Sequence, residues 1–224
     1  MEKAIIYQIF TRLFGNTNTT RKHNGTLTDN GCGKLNAFTP AVLRRIKELG
    51  ATHVWYTGVI RHATTTDYTR YGIPRQHPAV VKGNAGSPYA ITDYYDIDPD
   101  LATNVEKRMN EFESLVKRTH KAGLKMIIDF VPNHVARQYK SIAKPEGIAD
   151  FGENDNTGMQ FSPQNNFYYC PEQSFAADID LYHGEELPYE EFPAKATGND
   201  CFGNRPGRND WYETVKLNYG VDYC

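Results

Sequence analysis

The chain has 224 residues, a formal net charge of −2 and 23% charged residues of mixed sign. That length holds a sizeable core, or one domain with a smaller unit inserted into it. No basic run is present, so the electrostatic footprint of a nucleic-acid binder is missing, and no apolar run is long enough for a membrane-spanning helix.

The opening MEKAIIYQIF has no signal-peptide pattern. A chain whose signal has been removed would look the same, so cytoplasmic and secreted or periplasmic placements both stay open. The four cysteines, Cys32, Cys170, Cys201 and Cys224, form no CxxC pair and are too spread for a zinc knuckle. Their spacing leaves free thiols and disulfides equally open. With 15 Tyr, 11 Phe and 2 Trp the chain is rich in aromatics, which suits a polar stacking surface such as a sugar cleft and equally suits loop packing.

In chain order, Ala4 to Phe10 is a β-branched and aromatic run that reads as a buried strand. Residues 11–38, rich in Asn, Thr and Gly, read as a loop. Thr39-Pro40 predicts a helix start, with Val42, Leu43, Ile46 and Leu49 on one face and Gly50 as the stop. His53 to Tyr56 reads as a second strand. Residues 57–88 form a connection far longer than the usual two to six or so between strand and helix, and such loops carry sites. Tyr89 to Pro99 is polar and aromatic and is expected to line what that loop surrounds. Asp93, Asp96, Asp98 and Asp100 make an acidic run, with turn and helix-start roles expected ahead of cation binding. Thr103 with Glu106 predicts a capping box, opening a helix whose apolar face is Val105, Met109, Phe112, Val116 and Thr119 and whose stop is Gly123.

That helix delivers the chain into KMIIDFVPNHV, Lys125 to Val135. Met126 to Asp129 reads as a third strand ending in a carboxylate, and Pro132 argues against its continuation. Asp129, Asn133 and His134 thus fall at the carboxyl end of a strand, where β/α folds keep their chemistry. A carboxylate and a neutral imidazole can hydrogen-bond neighbouring sugar hydroxyls, and Asn133 offers an oxygen of the kind calcium takes. The competing reading makes Asp129 and Asn133 turn-satisfying side chains and His134 a surface histidine. Tyr89 suits stacking on a sugar ring or half-buried packing. Residues 136–214 lack a long periodic helix and read as an irregular inserted subdomain, with regular structure resuming near Trp211 to Leu217. Nucleotide-binding glycine signatures and a GxSxG elbow are absent.

Three strands alternating with helices are the start of a (β/α)8 barrel, which needs about 250 residues. The expected fold is therefore α/β: the N-terminal portion of a TIM barrel in residues 1–135, a subdomain inserted after strand three in 136–214, and a return to the barrel in 215–224. A smaller open α/β domain is the rival.

At this point the chain resembles the α-amylase family of glycoside hydrolases. Tyr7-Gln8-Ile9-Phe10 looks like the family's first-strand motif, Tyr89 with Asp93-Tyr94 and Ile97-Asp98-Pro99 like the segment holding its sugar-stacking tyrosine, Asp129 to His134 like its first conserved region, and Leu217-Asn218 like the short region closing the inserted subdomain. The resemblance implies an α-glucan or oligosaccharide substrate. It implies that Tyr89 stacks on the sugar at the cleaved linkage, that His134 hydrogen-bonds it, that Asp129 supports the site floor, and that Asn133 is a ligand of a structural calcium, with Asp178 and Asp180 as further oxygen donors. It also implies that the nucleophilic aspartate and acid/base glutamate fall beyond Cys224, so no catalytic residue is assigned and the chain alone is expected to be inactive. Retaining hydrolysis needs two carboxylates about 5–5.5 Å apart, and neither is matched here. Transglycosylation, action on α-1,6 links, and a non-catalytic sugar-binding or transporter-associated role remain alternatives.

Overall fold

The computed structural model describes residues 3–182, 184 and 186–223. Its centre is a parallel sheet of three strands, β1 (Ile6–Phe10), β2 (His53–Thr57) and β5 (Lys125–Ile128), in the order β1-β2-β5. The register runs Ile6 to His53 and His53 to Lys125, so the three carboxyl ends lie side by side. Between them come α2 (Pro40–Glu48), after a one-turn α1 (Leu27–Asn30), and α3 (Arg108–Lys121). This is a partial β/α barrel fold without closure: among the described residues β1 and β5 each pair only with β2.

The period-two alternation of β2 sorts its side chains. Val54 and Tyr56 are fully buried on the helical side with Leu43 and Ile46 of α2 and Leu115 of α3. The Tyr56 hydroxyl reaches the Thr119 hydroxyl at 2.8 Å, which satisfies both buried polar groups. Trp55 and Thr57 point to the other face. Ile6 and Phe10 of β1 share that face and stay more than a third exposed, as do Tyr7 and Ile128 of the two outer strands on the opposite face. Thr39 accepts from Val42 N with Pro40 following, so α2 starts where its sequence predicts.

Four readings are corrected. Thr103 does not cap α3. A 3-10 turn at Val105–Lys107 precedes that helix, capped by Asn104, while Glu111 accepts from the backbone N–H of Thr103 and of Asn104. The buried face of α3 centres on Leu115 and Thr119, with Phe112 partly covered and Met109 exposed. The third strand begins at Lys125 and stops before Asp129. The long connection after β2 contains β3 (Ile60–His62), which pairs antiparallel with β4 (Ile91–Ile97).

The acidic run is buried in ion pairs, and Asp98 also takes the expected helix-start role, accepting from Asp100 N at 2.9 Å to cap a 3-10 turn at Pro99–Leu101. Arg61 lies 3.1 Å from Asp93 and 3.6 Å from Asp96, Arg108 grips Asp96 through Nε and Nη2, Arg12 lies 2.9 Å from Asp100, and His62 lies 3.1 Å from Asp98. Beyond β5 the chain enters β6 (His134–Ala136), wanders through residues 137–213, and returns as β9 (Thr214–Lys216), antiparallel to β6. Within that excursion β7 (Tyr169–Cys170) pairs with β8 (Ala194–Lys195). Cys32 and Cys201 are free thiols, and burial lifts the Cys32 thiol to about 11; Cys224 lies outside the described residues. Among the described residues no helix is long and apolar enough to cross a membrane.

Truncating Arg61 leaves Asp93 and Asp96 buried with a partner missing. Arg61→Ala should lower stability by about 3–5 kcal/mol, measured as a shift of the urea midpoint. A loss below about 1 kcal/mol would show that the cluster carries no such constraint.

Candidate functional site

The carboxyl ends of the three strands hold the site. Gln8, midway along β1, donates to the Thr57 hydroxyl at the end of β2 at 3.0 Å. Asp129, one residue past β5, accepts from Trp55 Nε1 and from Gly58 N, both at 2.7 Å. Both carboxylate oxygens are thereby spent on the neighbouring strand. Such charge-assisted bonds are short and stronger than neutral ones. Gly58 has φ of 77°, and a Cβ there would come within 2.9 Å of Pro88, so glycine is required for the N–H to turn toward Asp129.

The turn after Asp129 is pinned through its carbonyls. The Tyr94 hydroxyl donates to Val131 O, the Tyr219 hydroxyl donates to Pro132 O, and Leu217 N donates to Asn133 O at 3.0 Å. His134 is thus delivered into β6 with its ring 6% exposed. Its Nδ1 lies 3.0 Å from Asn133 Oδ1, and the ring also hydrogen-bonds the backbone of Tyr89. Burial lowers the imidazole's pKa and the Tyr89 bond opposes this, so the ring is neutral near pH 7. Tyr89 itself is 41% exposed. Its phenol is raised by partial burial and then by the negative charge of Asp129. Tyr89, Asp129 and His134 therefore share one neighbourhood. Asn133 is exposed beside His134.

Two features carry no local sequence signal. Trp211 packs on His134 with ring centroids 5.1 Å apart and remains 40% exposed. Gly198 lies against the same histidine: a Cβ there would lie 2.8 Å from His134 Cβ and 2.5 Å from Thr214 Oγ1. Both belong to the excursion between β6 and β9, and only the tertiary fold brings them to residue 134.

Calcium takes six to eight or so oxygen ligands. Asn133 offers one side-chain oxygen, already directed at His134. Asp180 accepts from Tyr182 N at 3.0 Å. Asp178 and Asp180 line a cavity of about 380 Å³ with Arg208 and Tyr212, a set that does not include Asn133. Among the described residues no group of three His, Cys, Asp or Glu side chains is gathered for a metal. These residues do not by themselves make a calcium cage.

Comparison with known proteins places the chain. Residues 8–188 match the family model "Alpha amylase, catalytic domain", and the chain belongs to that family. It is 28% identical over 174 residues to Maltase A2 of Drosophila melanogaster, covering 73% of this chain and 24% of that protein. It is 32% identical over 139 residues to the trehalose-6-phosphate hydrolase of Bacillus subtilis, covering 62% of this chain and 18% of that protein. Among solved structures, an α-amylase from Lactobacillus plantarum aligns at 28% identity and a TM-score of 0.41 over 60% of this chain and 24% of that one. The chain thus spans no more than about a quarter of these relatives.

Two outcomes are expected. Gly198→Ala should cost about 1–3 kcal/mol by overpacking against His134, read as a lowered urea midpoint; no change would mean that the excursion does not abut the histidine. A histidine with a lowered folded pKa stabilises the fold above its unfolded value, near 6.5, and that stability is lost as pH falls through the folded value. Stability should accordingly fall below pH 6.5 more steeply in the native chain than in His134→Gln, measured by denaturant titration across pH 5–7.5.

Proposed function

We propose that this member of the α-amylase family serves the hydrolysis of α-glucosidic bonds in starch-like glucans by the retaining route, and that the 224 residues carry sugar-binding groups, with the nucleophile and the acid/base supplied by residues outside them. The supporting observation is the convergence of Tyr89, Asp129 and His134 at the carboxyl ends of the parallel strands, the face on which barrel enzymes work. In this reading Tyr89 presents an apolar ring face to a pyranose. His134 directs a neutral imidazole toward its hydroxyls. Asp129 fixes both by locking the ends of β2 and β5 together. Residues 1–135 act as the barrel portion, 136–214 as an inserted subdomain and 215–224 as the return. Calcium enters as a proposal at Asn133, whose oxygen would be one ligand of an ion needing further donors.

Maltohexaose should bind the chain in isothermal titration calorimetry, and Tyr89→Ala should weaken that binding about tenfold, the loss of one stacked aromatic. The chain alone should release no reducing sugar from starch. Absence of binding would refute the sugar-site assignment, and measurable hydrolysis would refute the division of labour. A binding-only member would leave starch intact at every length of the protein, whereas a transglycosylase would extend the hexaose instead of shortening it. Chelation by EDTA should lower the melting temperature of the native chain more than that of Asn133→Ala if the ion binds there.

A further inference from the structure

Trp211 is placed by its backbone rather than by its ring. Its N–H donates to Asn199 Oδ1 at 3.1 Å, and its carbonyl accepts from Thr214 N and from the Thr214 hydroxyl, both at 2.9 Å. Asn199 is itself held by a 2.9 Å bond to Asp210. A turn with this much backbone fixation sets the indole's direction before any ligand arrives. The indole lies against the buried His134, while two-fifths of its surface faces solvent. Tyr89, whose backbone holds the same imidazole, is exposed to the same degree. Two exposed aromatic residues thus meet one histidine, Trp211 of the excursion before β9 through its ring and Tyr89 of the loop before β4 through its backbone. A large ring left half-exposed beside a polar, hydrogen-bonding group is the composition of a ligand-binding surface rather than of a core. Glucopyranose presents a C–H face to such a ring and hydroxyls to such an imidazole.

We propose that Trp211 is a sugar-contacting and specificity-determining residue of this site, presenting its indole to a pyranose ring of an α-linked gluco-oligosaccharide beside the one at Tyr89. The inference rests on the sugar-site reading and adds a contact from the inserted segment. It makes the turn from Asn199 to Thr214 the element that selects how a glucan chain runs across the strand ends. It also gives Gly198 a functional consequence: the close approach it permits is what brings the indole's segment against the histidine.

The test uses the whole chain and maltohexaose, with cellohexaose as the β-linked control. Tryptophan emission of the native chain should change on adding maltohexaose, and the change should shrink in Trp211→Phe, which leaves Trp55, bonded to Asp129, as the sole indole. By calorimetry Trp211→Phe should bind within about threefold of native, because a ring face remains, and Trp211→Ala should bind about tenfold more weakly. Circular dichroism melts of both variants confirm folding; should Trp211→Ala unfold, the emission change in native chain and its fate in Trp211→Phe decide alone. Native-like binding in a folded Trp211→Ala with binding lost in Tyr89→Ala would overturn the inference and leave the sugar site standing. An emission change undiminished in Trp211→Phe would likewise overturn it. No binding by the native chain, or equal binding of cellohexaose, would overturn the site reading and the inference with it.

Discussion

The buried pairing of Arg61 with Asp93 and Asp96 is the constraint on which the rest of the molecule depends. A guanidinium and two carboxylates withdrawn from water are tolerated when opposite charges lie close; here Arg61 hydrogen-bonds through Nη2, while its buried Nε and Nη1 make no hydrogen bond. Arg61 comes from β3 and the two aspartates from β4, so the hairpin closes as a unit. Asp96 also takes Arg108 at the start of α3, which ties the hairpin to the last helix before β5. Asp93 accepts from the Ser141 hydroxyl and from Ile142 N and Ala143 N, which ties it to the beginning of the excursion. Arg61 further donates to Lys140 O at 2.6 Å. One charged cluster therefore joins the hairpin, the helix and the segment that follows β6. The loop carrying Tyr89 and the strand carrying His134 are held in one frame as a result.

Where the sequence was legible, the signal was local and the structure kept it. The strand cores Ile6 to Phe10, His53 to Thr57 and Lys125 to Ile128 are apolar runs bounded by polar loops, and Thr39-Pro40 is a start signal satisfied within four residues. The failures share one cause, a partner far away in the chain. β4 carries Asp93 and Asp96, which read as turn and helix-start residues until Arg61 and Arg108 are seen opposite them. The start of α3 looked like a capping box because Thr103 and Glu106 have the spacing, but Glu111 reaches back to the orphan N–H groups and supersedes it. Trp211 and Gly198 reach His134 only through the pairing of β6 with β9. Within the site, Asp129 and His134 were conspicuous by position, whereas Trp55 and Gly58 became part of it only when Asp129 was seen to bond both.

Asp129 illustrates how position and role separate. It sits at the strand end, where a carboxylate would be expected to meet substrate. Yet its two oxygens receive an indole N–H and a backbone N–H from the adjacent strand, and a buried or half-buried donor stripped of its acceptor is costly. Its charge then acts at a distance: it holds the ends of β2 and β5 in register and disfavours ionisation of Tyr89. Tyr89 stays a neutral phenol with an exposed ring face, suited to stacking.

His134 depends on both halves of the molecule at once. Its backbone opens β6, paired with β9, while its ring touches Asn133, the backbone of Tyr89, Trp211 and the space kept free at Gly198. A shift of the excursion would therefore move the indole, uncover the imidazole and admit water to it in one step. Water around the ring would relieve the burial that lowers its pKa. The sheet supplies the floor, and the excursion covers the group standing on it.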